Sequence, residues 1–126
     1  MKEYFTEAVV LEKEVFRELD QLVTIYSENL GKVTAKIKSG RRINSKLSPH
    51  LEPLNLVQLR LIEKNGFQVA DALKLSRLPV DNLPVLKLIR KTVLERHPDY
   101  RLWSLIKSGS SSPQEILRVL GHDSKL

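Results

Sequence analysis

Residues 32–46, KVTAKIKSGRRINSK, dictate a strand and what must follow it. Val33, Ala35 and Ile37 alternate with Lys32, Thr34, Lys36 and Lys38, and side chains on a strand point to opposite faces with period two. A strand here buries the Val/Ala/Ile row and holds a row of ammonium groups in water. It needs a sheet with one dry side. Gly40 breaks the strand, and Arg41 and Arg42 fall in the loop that follows. The stretch carries six Lys/Arg and no carboxylate. A cationic row running into an Arg-rich loop has the form of a surface that follows a phosphate backbone. The plainer reading of the same residues is a solvated strand face whose lysines discourage edge-to-edge association.

The rest of the charge sharpens this contrast. The chain is +6 overall, yet residues 1–31 sum to −4, residues 32–46 to +6, residues 47–79 to +1 and residues 80–126 to +3. A diffuse excess speaks to solubility, whereas a clustered one points to a polyanionic partner. With 126 residues the chain is long enough for one compact core. No apolar run approaches the ~20 residues needed to span a bilayer, and MKEYFTEAVVLEKEVF lacks the apolar centre of a signal peptide. A cytoplasmic protein is expected. There is no cysteine, hence no disulfide and no thiol-ligated metal.

The first 79 residues read as β and the remainder as α. Strands are expected at about Tyr4–Glu14, Gln21–Ser27, Lys32–Ser39, Leu54–Glu63 and Phe67–Leu75, with a short helical turn in Ser45–Leu51. Gly31 closes a hairpin between the second and third, and Asn65-Gly66 gives the strongest hairpin signal in the chain. Five short strands with the longest connection between the third and fourth fit a small Greek-key barrel of the OB type. An SH3-like barrel or a sandwich fragment gives a similar pattern. Beyond Pro79 the apolar period becomes helical, with one helix from Leu83 to about His97 and a second over Tyr100–Ile106. Ser112, Pro113 and Glu115 mark the start of a third, which Gly121 can close. The expected architecture is mainly β with α: a five-stranded OB-fold barrel, residues 1–79, followed by a short helical extension, residues 80–126, packed on it.

Nothing in the sequence makes an enzyme, and no cofactor or metal is expected. His50, His97 and His122 show no metal-ligand spacing. Glu12, Glu14, Glu18 and Asp20 read as a solvated charge cluster rather than an acid/base pair. Among the aromatics, Tyr26 is either a base-stacking platform beside the basic strand or a core residue. Trp103 reads as the anchor between helices and barrel. Lys32, Lys36, Lys38, Arg41, Arg42 and Lys46 are the candidate nucleic-acid contacts.

The stretch from Glu18 to Lys32 resembles the start of the DNA repair protein RecO family, as does Lys38-Ser39-Gly40-Arg41-Arg42-Ile43-Asn44-Ser45-Lys46-Leu47 followed by Leu51-Glu52-Pro53. The resemblance runs over roughly residues 5–79 in order and spacing. It implies an OB-fold that binds single- and double-stranded DNA, anneals complementary strands and, with RecR, loads RecA onto strands coated with single-strand binding protein. By position it assigns DNA contact to Lys38, Arg41, Arg42 and Lys46, and strand parity adds Lys32 and Lys36. Ser45 takes a structural or phosphate-bonding role. The chain departs from the family in its short helical part, which in the family supports contact with single-strand binding protein, and in lacking the cysteine cluster of some members. Two alternatives stay open on the residues alone. One is an adaptor whose basic groove takes an acidic protein partner; the other is an OB-type RNA binder.

Overall fold

The computed structural model describes residues 1–121; His122 and the rest of the tail lie outside them. Five antiparallel or parallel pairings close a ring of strands in the order β1-β2-β3-β5-β4. The strands are β1 (Lys2–Phe16), β2 (Asp20–Ser27), β3 (Gly31–Ile37), β4 (Asn55–Glu63) and β5 (Phe67–Arg77). This is the strand order of an OB barrel. Only β3 and β5 run parallel, and they meet at just Ala35↔Phe67 and Lys36↔Gln68.

β1 closes the ring by serving two partners. Its first half pairs with β4 from Lys2↔Glu63 to Val9↔Leu56, and its second half pairs with β2 from Ala8↔Ser27 to Phe16↔Asp20. A register shift between Val10 and Glu12 bends the strand where it changes partner. The run Ala8-Val9-Val10-Leu11 is continuous because both faces are covered. Ala8 and Val10 join Val23, Ile25 and Leu59 inside the barrel, while Val9 and Leu11 face the helices.

Three helices follow: α1 (Leu83–Thr92), α2 (Tyr100–Ser108) and α3 (Pro113–Val119). Asp99 caps α2 by accepting from the backbone N–H groups of Arg101 and Leu102. Ser112 and Glu115 form the expected capping box on α3, and Gly121 follows that helix at φ 83°. Leu86, Ile89, Leu102, Trp103, Ile106 and Ile116 pack with Val9, Leu11, Tyr26, Leu54 and Leu56 of the barrel into one apolar cluster. Trp103 is the anchor the sequence indicates, with 2% of its surface exposed.

Several element ends differ from the sequence reading: β1 runs Lys2–Phe16 rather than Tyr4–Glu14, β5 reaches Arg77 and α2 reaches Ser108, while β3 and α1 end early. β3 stops at Ile37, because Ser39 turns into the left-handed region (φ 58°) and the Gly40 N–H closes on the Ile37 carbonyl. α1 stops at Thr92, well short of His97. Its continuation is drawn onto the β3 edge instead: Glu95 bridges to Lys32, and the Arg96 N–H donates to the Lys32 carbonyl (2.9 Å). Gly31 makes this approach possible, since a Cβ there would lie 2.8 Å from the His97 and Pro98 backbone.

Candidate nucleic-acid interface

The alternation in β3 is realised in full. Val33, Ala35 and Ile37 are buried, and Lys32, Thr34 and Lys36 are half-exposed on the outer face. From Ile37 the chain enters the basic loop, residues 38–47, where Lys38, Arg41, Arg42 and Lys46 are exposed.

Polar contacts at both ends hold this loop in place. At its start the Asp20 carboxylate accepts from the Ser39 N–H (2.7 Å), and the Arg41 N–H donates to the Leu19 carbonyl (2.9 Å). At its end the Ser48 N–H donates to the Ser45 hydroxyl (3.2 Å). Ser48 lies in a single 3-10 turn, Ser48–His50. Beneath that turn Lys13 donates to the Ser48 carbonyl (3.1 Å) and hydroxyl (3.0 Å) and pairs with Glu52. The Ser48 hydroxyl in turn donates to Gln21 Oε1 (2.7 Å). Only 11% of the Lys13 side chain is exposed, so its charge is held where ion pairing and hydrogen bonds replace water. Lys13 was not singled out by sequence; its partners lie more than thirty residues away.

The six candidate cations do not act alike. Lys32 Nζ donates to the Arg90 carbonyl in the last turn of α1 (2.9 Å), a favourable place for a cation at a helix C-terminus. Arg41 Nη1 donates to the carbonyls of Arg17 (3.0 Å) and Glu18 (2.7 Å), so its side chain holds the β1–β2 loop. Among the described residues, no ion pair involves Lys36, Lys38, Arg41, Arg42 or Lys46. Three acidic residues of the N-terminal third pair with cations elsewhere: Glu3 with Arg60, Glu7 with Lys107, Glu12 with Arg90.

Tyr26 is not a stacking platform. It is fully buried, its hydroxyl accepts from the Asp99 N–H (3.1 Å), and burial pushes its phenol above the ordinary value. The helices cover the face of β2 that strand parity left open.

A groove of about 300 Å³ lies beside the loop. Leu22, Thr34 and Lys36 contribute from β2 and β3, Phe16 and Arg17 from the end of β1 and the loop after it, and Lys64, Gly66 and Phe67 from the β4–β5 turn and the start of β5. Asn65 (φ 55°) and Gly66 (φ 105°) take the left-handed conformations their types favour and shape that turn. Sequence reasoning missed this convergence, because the two loops stand about fifty residues apart.

Glu63 ties the groove's edge to the helices. It accepts from the Tyr4 hydroxyl (3.0 Å) and from Arg96 Nη1 (2.9 Å), and these contacts hold its carboxyl below the usual carboxylate range. A carboxyl that releases its proton more readily when folded adds stability above its unfolded pKa. That contribution is lost as pH falls through the folded value. Glu63→Gln is therefore expected to lower the urea midpoint at neutral pH and to match the parent chain near about pH 2. A difference that persists unchanged at low pH would contradict this role.

A ring of five strands in this order, with a groove between its β1–β2 and β4–β5 loops, is a barrel of the OB type. The family model described as Recombination protein O N terminal matches residues 1–78. Relatives named DNA repair protein RecO include one from Cutibacterium acnes, 36% identical over 69 residues, covering 55% of this chain and 28% of the relative. Another, from Thermodesulfovibrio yellowstonii, is 39% identical over 61 residues, covering 48% and 24%. A third, from Syntrophobacter fumaroxidans, is 30% identical over 105 residues, covering 79% and 42%. The chain belongs to the RecO family. It spans less than half the length of each of these relatives.

Proposed function

We propose that this chain is a non-enzymatic DNA-binding module of recombinational repair, acting in the cytoplasm. It binds single- and double-stranded DNA through phosphates, promotes annealing of complementary strands and, with RecR, assists RecA loading. Residues 1–79 form the DNA-binding unit and residues 80–126 its helical extension. The observation that carries the reading is the set of five cations, Lys36, Lys38, Arg41, Arg42 and Lys46, on one strand and loop and without a carboxylate partner among the described residues. Lys36, Lys38, Arg42 and Lys46 lose little but water when a phosphate arrives, and Arg41, already holding the Arg17 and Glu18 carbonyls through Nη1, has other N–H groups to offer. Phosphates of two strands screened on the same surface repel each other less, which lets complementary bases meet.

Fluorescence-anisotropy titration of labelled single-stranded DNA over a range of salt concentrations tests this. With about five phosphates engaged, log K should fall against log salt with a slope of roughly −3.5. A slope near zero would sink the phosphate mechanism. Absence of DNA binding at low salt, with capture of RecR, would make the basic surface an adaptor for an acidic protein. Preference for structured RNA would make it an RNA binder.

A further inference from the structure

Both aromatic rings that line the groove are backed by arginine. The Arg17 guanidinium lies 4.9 Å from the centre of the Phe16 ring, and that of Arg96 lies 5.0 Å from the centre of Phe67. Tyr4 meets Phe67 edge-on at 5.9 Å. Glu63, which accepts from both Tyr4 and Arg96, joins these two supports. Phe67 is thereby fixed on its strand before any ligand arrives. Phe16 is fixed from the other side, since Arg41 grips the carbonyls of Arg17 and Glu18.

We propose that Phe16 and Phe67 form a stacking subsite for an unpaired base, distinct from the phosphate contacts of the loop. The proposal rests on the reading of the groove as a DNA site and assigns it a preference for single strands. Three observations combine. The groove holds two ring side chains with Leu22 between the loops that carry them, Lys36, Lys64 and Arg17 supply positive charge at its walls, and Arg41 makes it continuous with the basic loop. A polyanion with exposed flat apolar faces matches that lining, and a single-stranded nucleic acid is one. In a duplex the base faces are covered by their neighbours, so the rings have nothing to receive. A guanidinium over a ring adds cation–π attraction and prevents the ring from turning away.

Arg96 comes from the connection between α1 and α2, beyond the barrel. The helical extension therefore supplies one support of the subsite, and acts on DNA through Phe67 without touching it.

The test compares two labelled strands of equal length and charge, about 12 nucleotides long: oligothymidylate, and a strand of abasic sites. The full chain is expected to bind the base-bearing strand roughly five-fold or more tightly, the scale of one base on one aromatic ring. Phe16→Leu, which keeps apolar bulk and removes the flat face, should bring the two affinities together while leaving the abasic strand unchanged. Phe67→Leu should do the same, and Arg96→Ala should do so in part. Equal affinity of the unaltered chain for both strands overturns the stacking subsite and leaves the phosphate reading standing. Failure to bind either strand overturns both. Loss of affinity for both strands by the same factor in Phe16→Leu also overturns the subsite, and that variant does not disturb the Phe67 contacts with the barrel core.

Discussion

A variant with Lys38, Arg42 and Lys46 all replaced by alanine is expected to keep its fold and lose most of its salt-dependent affinity for DNA. All three side chains are exposed on one loop, and none enters an ion pair among the described residues. Their removal leaves the loop's anchors, Asp20, Gln21 and Lys13, untouched. Each phosphate contact on a single strand contributes about 0.7 to the log–log salt slope, so three losses should flatten it from roughly −3.5 to roughly −1.4. The loss should be the same for every sequence, because phosphates carry no base identity. Anisotropy titrations of parent and variant at several salt concentrations measure both quantities. An unchanged slope would place the phosphate path elsewhere; a changed base preference would mean that the loop reads bases.

The second large effect concerns stability. Trp103→Ala is expected to cost about 3–5 kcal/mol, the usual range for removing a buried aromatic from a core. Domains of this size are stable by only about 5–15 kcal/mol, so the thermal midpoint should fall by roughly 10 °C or more. Trp103 sits in the cluster that includes Val9, Tyr26 and Leu54 of the barrel as well as all three helices. Lys107 lies 6.0 Å from the Trp103 ring and pairs with Glu7 of β1 at 3.0 Å, so the same turn of α2 is fastened by packing and by charge. Trp103 is the sole tryptophan, so the midpoint is followed by circular dichroism rather than fluorescence. A loss below about 1 kcal/mol, the range of an exposed site, would show that the helices do not depend on this anchor.

Features set by neighbours along the chain were legible in the sequence. The β3 alternation, the Asn65-Gly66 turn and the Ser112–Glu115 cap each depend on residues within a few positions, and each appears where expected. Features set by distant partners were not. Val93 and Leu94 continue the helical apolar spacing of residues 83–89, yet the free edge of β3 offers hydrogen bonds that a helix continuing past Thr92 would forgo. Strand parity left Tyr26 open to both faces, with the core favoured, because parity cannot register a helix layer arriving seventy residues later. Lys32 obeys the alternation, but the end of α1 lands beside it and takes its ammonium. The groove itself had no local signature: its rings come from opposite ends of the barrel sequence and acquire meaning only when the ring of strands closes.

The cluster shared by strands and helices also bears on how such a chain can be divided. The family model ends at residue 78, and secondary structure changes character at the same place. Yet Val9, Leu11, Leu54 and Leu56 on one side of that seam are dry only because Leu86, Ile89 and Ile106 lie against them. The span of the family model and what water recognises as a unit are different objects here. A barrel cut at the seam would present Val9, Leu11, Tyr26, Leu54 and Leu56 to solvent as an adhesive face.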